Sequence, residues 1–568
     1  VVDYKTQDLI AQARAWAEMD PDPSTRAEAT VLMSRAEAGD RHAVEKLHAA
    51  FGSRLTFGTS GLRARLGAGP ARMNRVVVAQ TAAALAQYLR EAGASINGPS
   101  AIHTTRRSAD MPVVVIGFDA RANSDIFARD TAEIMAGAQV RAVLLPGPLP
   151  TPVLAFAVRE FDADAGVMIT ASHNPVGDNG YKVYLGGVHR GAQITSPVDV
   201  EIARRIDTVA KSGPITALPR GAVEHAPHDI IDAYVARTAA LVPEPLFRPR
   251  VAYTALHGVG GETFRRVLRQ AGYALPIPVT EQDDPDGSFP TVSVPNPEEP
   301  GALSRAFTLA HEIGAELVLA HDPDADRLAV GVPIPNATGG APVFRRLSGN
   351  EVGLALAWWA CDRASRAGRT TGSLACSVVS TPALESLGKS FGYSVVRTLS
   401  GFKWIARVPQ LIFGFEEALG YLVNPETLHD KDGISAGLAV LALVSDLHAS
   451  GLTLLDKVTE LNATHGAFVS SQLSMRTDAA RIEETMTAMR KAAPADIGGS
   501  RIVAVDDYAR SVNRLPATNL LAWHLADGSR VMLRPSGTEE KLKVYIDATS
   551  PDALDRIDAD VRALFSAR

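Results

Sequence analysis

Cysteine is nearly missing from this sequence: Cys361 and Cys376 are the only two in 568 residues. Two thiols in apolar surroundings exclude a disulfide framework and a zinc-ligand set, and they read as buried structural groups in a reducing compartment. An excess of charge of one sign is missing too. The 57 Lys and Arg against 63 Asp and Glu leave a net charge of -6. That excludes a nucleic acid or an anionic membrane as the main partner, while leaving room for a local basic pocket. Long apolar runs are also missing. The longest, Ile434 to Val444, is too short to span a bilayer. The opening VVDYKTQDLIAQARAWAEMD lacks the basic start and apolar core of a signal peptide. A soluble cytoplasmic protein is expected, with no nucleic acid and no membrane among its partners.

What is present is ordinary globular material, with 46% hydrophobic and 21% charged residues. Its length suits roughly four domains at about 150 residues each. Residues 1 to about 50 read as charged helix, with Leu9, Ile10, Ala13 and Trp16 on one side. A helix is expected over 76–89 and an exposed loop over 95–112. A strand–helix pattern then recurs three times. Strands are expected at 113–117, 140–145 and 165–169, then at 251–254, 275–279 and 316–320, and finally at 373–379, 393–398 and 411–414. Helices are expected between them, over 124–137, 151–161, 261–272, 301–313 and 382–391, with a short one over 402–408. The last hundred residues change to strands near 466–475, 501–506, 518–524, 529–534 and 542–548, with helices near 478–491 and 551–565. The pattern implies three α/β domains, 1–225, 226–343 and 344–467, followed by an α+β domain, 468–568.

Each α/β repeat ends in a polar motif, where open α/β sheets place their chemistry. The first is GVMITASHNP, Gly166 to Pro175. Ser172 there is a candidate nucleophile with His173 beside it, although adjacent side chains often point apart and the same letters also spell a plain turn. The second is HDPDADR, His321 to Arg327. Asp322, Asp324 and Asp326 crowd three carboxylates that repel unless a cation neutralises them, and hard oxygen ligands favour Mg²⁺ over zinc. A solvated acidic turn is the alternative. The third is FEEALGY, Phe415 to Tyr421.

Other stretches add to these. In TFGTSGLRARLG, Gly58, Thr59, Ser60 and Gly61 suit a loop close to an anion, and Arg63 can pair with a phosphate. Lys182 in NGYKVY becomes an acid/base candidate if burial or nearby cations lower its pKa. Lys403 in SGFKWI, and Lys431 with Asp432 in DKDGI, are polar loop candidates. In RPSGTEEKLKVY, Arg534 with Ser536, Gly537 and Thr538 can hold a phosphate dianion, or simply decorate a hairpin.

Taken in order, GTSGLR, GVMITASHNP with NGYKVY, HDPDADR, FEEALGY and RPSGTEEK resemble the α-D-phosphohexomutases, from about residue 40 to the end. TALHGVGG and FPTVSVPNPEEPGAL are most similar to the phosphoglucomutase/phosphopentomutase branch. The resemblance implies four domains around a central cleft, three α/β with mixed sheets and one α+β. It implies that Ser172 is carried as phosphoserine, and that Asp322, Asp324 and Asp326 hold Mg²⁺ with a phosphoserine oxygen as a further ligand. Lys182, Arg63, His173 and Arg327 would serve the reacting end. Glu416, Glu417 and Lys403 would meet the sugar, with Lys403 also near the reacting end. Arg534, Ser536, Gly537 and Thr538 would grip the non-reacting phosphate. Ala418 departs from the pattern, since many relatives carry serine there.

The activity implied is interconversion of hexose 1-phosphate and hexose 6-phosphate, for glucose and also mannose. A sugar 1,6-bisphosphate serves as intermediate and activator, in a monomer or homodimer. A phosphopentomutase and a glucose 1,6-bisphosphate synthase are the alternatives within the family. A serine hydrolase would show G-x-S-x-G around its nucleophile, which TASHNP does not. A non-catalytic sugar-phosphate sensor would not need Ser172 and all three aspartates.

Overall fold

The computed structural model describes residues 4–56, 61–94, 111–336, 339–466, 468–510, 512, 515–536 and 541–566. They form two compact units, 1–244 with 250–329 and 426–438, and 245–249 with 330–425 and 439–568.

The first unit opens with three helices, Tyr4–Met19, Pro23–Glu37 and Arg41–Phe51. Asp22 and Asp40 cap the second and third by accepting first-turn amides, and Pro23 stands where a helix needs no N–H. Leu9, Ile10, Ala13 and Trp16 are all buried, and Trp16 meets Phe51 edge to face at 5.7 Å. The sheet that follows runs Leu62–Arg65, Asp178–Leu185, Ala165–Ile169, Val113–Phe118, Arg141–Leu144, Glu224–His225, with Ala192–Gln193 beside Asp178–Leu185. Val113–Phe118 pairs in parallel with Arg141–Leu144 and Ala165–Ile169. Asp178–Leu185 runs antiparallel to Ala165–Ile169 and to Leu62–Arg65, so the sheet is mixed, as expected. A second set of strands in this unit places Val251–Thr254 between Leu317–His321 and Ile277–Pro278, all parallel.

The second unit holds a four-stranded sheet, Ser394–Thr398, Ser373–Ser377, Leu411–Glu416, Gly420–Leu422, parallel except for its last pair. It also holds a six-stranded sheet, Val469–Arg476, Lys541–Ala548, Arg530–Pro535, Leu521–Leu525, Ser500–Asp507, Asp496–Ile497. Helices Ala479–Lys491 and Pro551–Ser566 complete the α+β region. Val378 and Val379 join Tyr508, Leu520, Ala522, Met532 and Tyr545 in one buried cluster. Arg530, paired with Asp547 at 2.7 Å, donates to the carbonyls of Val378 and Ser380.

Several expected elements are shorter in the structure, among them the helix expected over 301–313, which is Ser304–Glu312. The strand expected over 275–279 shrinks to Ile277–Pro278, because Pro276 and Pro278 cannot donate to a ladder. The helix expected over 402–408 is only Phe402–Ile405.

Candidate active site

The strand Ala165–Ile169 is buried along its whole length and gives way to polar chain at Thr170. Thr170 Oγ1 accepts the Ser172 amide at 2.8 Å, a local bond that turns the chain out of the strand. Ser172 takes a φ of 52°, a left-handed conformation costing a non-glycine residue roughly 1–3 kcal/mol. Its side chain is buried, and Oγ donates to Asp322 Oδ2 at 2.8 Å. His173 Nδ1 lies 3.1 Å from the same Oγ, so these neighbours in sequence do meet in space.

Asp322, Asp324 and Asp326 follow the buried strand Leu317–His321, all three are fully buried, and one oxygen of each lies within 4.8 Å of the others. His321 is a support for this loop. Its Nε2 donates to the Gly433 carbonyl at 2.9 Å, so Nδ1 accepts the Tyr253 hydroxyl at 2.8 Å. Burial pulls its pKa down to about 4 and keeps it neutral. The loop is closely overlaid by backbone. A Cβ on Gly433 would stand 2.3 Å from the Arg327 carbonyl oxygen, and one on Gly258 would stand 2.4 Å from Pro323 Cα. The TALHGVGG stretch is thus used in packing the acidic loop.

The charges are distributed unequally. Lys182 Nζ donates to Asp324 Oδ2 at 2.6 Å and Asp326 Oδ2 at 2.9 Å. Lys431 pairs with the same oxygen of Asp326, and Thr151 Oγ1 donates to Asp324 Oδ2 at 2.6 Å. Burial raises Asp326, but Lys182, Lys431 and Arg327 outweigh it and hold the carboxyl well below its ordinary range. For Asp322 the balance reverses. Burial and the charges of Asp326 and Asp324 outweigh the attraction of Arg327 and Lys431 and push it well above that range. Burial lowers Lys182, yet the two aspartates together raise it above its ordinary value. This corrects the expectation of a depressed lysine, because the decisive neighbours are anions.

Asp324 Oδ1 and Asp326 Oδ1 are buried and have no hydrogen-bond partner among the described residues. Two orphaned carboxylate oxygens beside a third carboxylate fit a hard divalent cation. Arg327 donates its amide to Asp322 Oδ1 at 3.0 Å, with its guanidinium 3.9 Å from Glu298 and 4.0 Å from Asp326. Arg63, on the strand Leu62–Arg65, donates to Asn174 Oδ1 at 3.4 Å, and its Nε is buried without an acceptor among the described residues. Ser172, His173, Lys182, Arg63, Arg327 and the three aspartates are therefore gathered in one unit.

Glu416, Glu417, Lys403, Arg534 and Ser536 lie in the second unit. Glu416 is buried at the end of the strand Leu411–Glu416. Glu417 Oε2 accepts from Ser377 Oγ at 2.7 Å and Ser380 Oγ at 3.2 Å. Lys403 is buried, with its ammonium 5.8 Å from the Trp404 ring centre. Arg534 lies on Arg530–Pro535 opposite Lys543, and the Ser536 amide donates to the Lys541 carbonyl at 2.9 Å. Gly537 and Thr538, like Gly58, Thr59 and Ser60, lie outside the described residues.

Sequence reasoning passed over Arg121 and Thr151 and gave Lys431 no partner. The signal for Arg121 was available: FDARANS, Phe118 to Ser124, is also a polar motif at the end of a buried strand.

The chain matches four family models described as phosphoglucomutase/phosphomannomutase: α/β/α domain I over 54–212, domain II over 232–333, domain III over 348–461, and the C-terminal domain over 479–564. It is 47% identical to a "Probable phosphomannomutase" of Haemophilus influenzae, over 85% of this chain and 94% of the relative. It is 32% identical to a human phosphopentomutase, over 89% and 87%. A solved structure of a phosphomannomutase candidate from Thermus thermophilus superposes with a TM-score of 0.69 at 25% identity, covering 90% of this chain and 99% of that one. No helix among the described residues is long and apolar enough to cross a membrane. With a strand-end serine facing a buried acidic loop and all four domain types matched in order, the chain belongs to the phosphoglucomutase/phosphomannomutase family and is a phosphosugar mutase, an isomerase that moves a phosphoryl group within its substrate.

Proposed function

We propose that this mutase interconverts hexose 1-phosphate and hexose 6-phosphate, for both glucose and mannose, with a phosphoryl group carried on Ser172. The observation that carries the reading is the placement of Ser172 Oγ, 2.8 Å from Asp322 in a loop where two buried carboxylate oxygens accept no hydrogen bond among the described residues. The name of the Haemophilus influenzae relative favours a hexose.

Asp322, Asp324 and Asp326, with an oxygen of phosphorylated Ser172, would hold Mg²⁺. When bound, that ion would stabilise the negative charge spread over a phosphoryl group in transfer. The chain's own groups have separate tasks. The bond from Ser172 Oγ to phosphorus breaks as a sugar hydroxyl oxygen bonds that phosphorus; the hydroxyl gives up one proton and Ser172 Oγ takes one up, so a sugar 1,6-bisphosphate and a free serine hydroxyl result. After the bisphosphate turns, Ser172 Oγ takes the other phosphoryl group back. The serine proton has two acceptors within reach, Asp322 Oδ2 and His173 Nδ1. Lys182 fixes the faces of Asp324 and Asp326 that carry their Oδ2 atoms, and Lys431 holds that of Asp326 as well. Arg63 and Arg327 supply cationic side chains at this end. In the second unit Glu416, with Glu417 and Lys403, would meet the sugar. Arg534, Ser536, Gly537 and Thr538 would grip the phosphate that is not reacting.

The test is incubation with glucose 1-phosphate, Mg²⁺ and a trace of glucose 1,6-bisphosphate, scored for glucose 6-phosphate and free phosphate. Accumulation of glucose 6-phosphate supports the reading. Free phosphate alone identifies a hydrolase, and no conversion of any hexose phosphate rejects the proposal. The human phosphopentomutase relative makes ribose 1-phosphate the comparison substrate.

A further inference from the structure

Arg121 lies three residues beyond the end of the strand Val113–Phe118 and is only 3% exposed. Its Nη2 donates to the carbonyls of Ser172 at 2.6 Å and Asn174 at 2.7 Å. Its Nη1 donates to those of Pro175 at 3.0 Å and Asp178 at 3.1 Å. One guanidinium therefore gathers four backbone oxygens of a single loop, the loop that displays Ser172, His173 and Asn174.

Four carbonyls pointing at a common centre repel one another unless a cation with several fixed donors occupies it. Guanidinium supplies a planar fork of five N–H groups; an ammonium supplies three and cannot reproduce the fork. Asp119 orients the arginine from behind. Its Oδ1 accepts the Arg121 amide at 2.9 Å and the Ser124 hydroxyl at 2.7 Å, and its Oδ2 lies 3.6 Å from Arg121 Nε.

The other side is covered by the stretch that contains FPTVSVPNPEE. The Arg121 guanidinium lies 4.9 Å from the ring centre of Phe289, itself buried. Gly287 passes so close that a Cβ would stand 2.3 Å from the Ala120 carbonyl oxygen. Thr291 Oγ1 ties the stretch down through Gln282 Nε2 and His257 Nε2, both at 2.8 Å.

We infer that Arg121 is a positioning residue for the nucleophile, holding Ser172 in its left-handed conformation with Oγ toward Asp322, and that Phe289 is the backing that holds Arg121. This rests on the proposed role of Ser172 as phosphoryl carrier. Arg121 touches only the backbone of the serine loop and so acts through Ser172. A nucleophile displaced by about 1 Å loses roughly 10²-fold in rate, and nothing in this contact set bears on how the second unit binds the sugar.

The experiment uses the full chain with Arg121→Lys and Phe289→Leu, each checked for a cooperative thermal transition. The rate of Ser172 phosphorylation by glucose 1,6-bisphosphate is followed by intact mass, alongside kcat and KM for glucose 1-phosphate per mole of folded protein. In Arg121→Lys the phosphorylation rate and kcat should fall together by about 10²-fold, with KM within about threefold. Phe289→Leu should lose about tenfold in the same two quantities. Wild-type phosphorylation rates in folded Arg121→Lys, or a loss expressed only in KM, overturn the inference. If Arg121→Lys does not fold, the Phe289→Leu rates decide alone: a tenfold loss supports the inference and wild-type rates overturn it. A wild-type chain that takes no phosphate on Ser172 brings down the phosphoserine reading and this inference together, a result separable from normal wild-type and variant rates.

Discussion

Lys182 and Asp324, 142 residues apart in sequence, meet at 2.6 Å with both side chains shut away from solvent. The lysine belongs to the strand Asp178–Leu185 and the aspartate to the acidic loop after Leu317–His321. The contact fixes the side on which Asp324 and Asp326 are already paired, and so leaves Oδ1 of each, without a hydrogen-bond partner among the described residues, as the open side.

Lys182→Met would strip buried Asp324 of its lysine partner and leave Asp326 with one lysine instead of two. Breaking one side of a buried ion pair costs about 3–5 kcal/mol. A divalent cation on the Oδ1 side offsets part of that loss, because a ligand bound only by the native state stabilises it. Thermal melts with and without Mg²⁺ should show a larger Mg²⁺-dependent rise in Tm for Lys182→Met than for the wild type. Equal rises would contradict this division of the site.

Chelation should silence turnover and added Mg²⁺ should restore it. Asp326→Asn exchanges a carboxylate facing two lysines for a neutral amide, leaving Lys182 and Lys431 with less countercharge. Isothermal titration with Mg²⁺ should show weaker binding than in the wild type. Full activity after thorough chelation would refute the cation's role.

Ser172→Ala removes the phosphoryl acceptor together with the hydroxyl that Asp322 Oδ2 accepts. Turnover should vanish, with a stability loss of about 1–3 kcal/mol from the unpaired buried acceptor. Intact mass after exposure to glucose 1,6-bisphosphate should show one added phosphoryl group in the wild type and none in the variant. A phosphorylated variant would place the carrier elsewhere.

Asp432 carries a pH dependence whose sign can be worked out. Burial raises its carboxyl to about 6, while Tyr234 donates to both its oxygens and the Ile434 and Ser435 amides donate to Oδ1. A carboxyl raised in the native state takes up its proton there before the unfolded chain does. Its stabilising contribution is therefore present at low pH and lost as pH rises through about 6. Asp432→Asn keeps a residue able to accept the Ile434 and Ser435 amides and removes the titration. The stability of the wild type relative to this variant should grow as pH falls from about 7 to about 4, by up to about 3 kcal/mol. Parallel stability curves for the two proteins across that range would show that Asp432 does not titrate there.

The sequence is most legible where short apolar runs end abruptly in polar residues. Ala165–Ile169 falls on its expected bounds for that reason. The strand Asp178–Leu185 is not announced in this way, because all but its first residue are buried and no polar alternation marks it. The strand-end motifs singled out Ser172 and the three aspartates. The partners of those aspartates were another matter: Lys182, Lys431 and Thr151 reach them from distant segments, and only the folded chain decides which cation meets which anion. Arg121 differs again: the strand-end motif FDARANS marks the position, but its acceptors are backbone carbonyls, so the sequence does not show what it holds.

Specificity should follow from which sugar hydroxyls the second unit reads. The family resemblance assigns Glu416 to the hydroxyls at C3 and C4, whereas glucose and mannose differ at C2. Glu417 Oε2 is engaged by Ser377 and Ser380, and Ala418 offers no side-chain hydroxyl. A site built to hydrogen-bond a particular hydroxyl discriminates by about 10⁴ or more, and one without such a group discriminates far less. Both glucose 1-phosphate and mannose 1-phosphate should therefore be converted, with glucose preferred by no more than about 100-fold. Ribose 1-phosphate is the competitor that matters, because a pentose lacks the sixth carbon and brings its distal phosphate closer to the ring. A phosphate grip around Arg534 set for a hexose would then meet it poorly. The measurement is kcat/KM for the three sugars at one Mg²⁺ and one activator concentration. A pentose that exceeds both hexoses by about tenfold or more would reverse the hexose assignment and make the enzyme a phosphopentomutase.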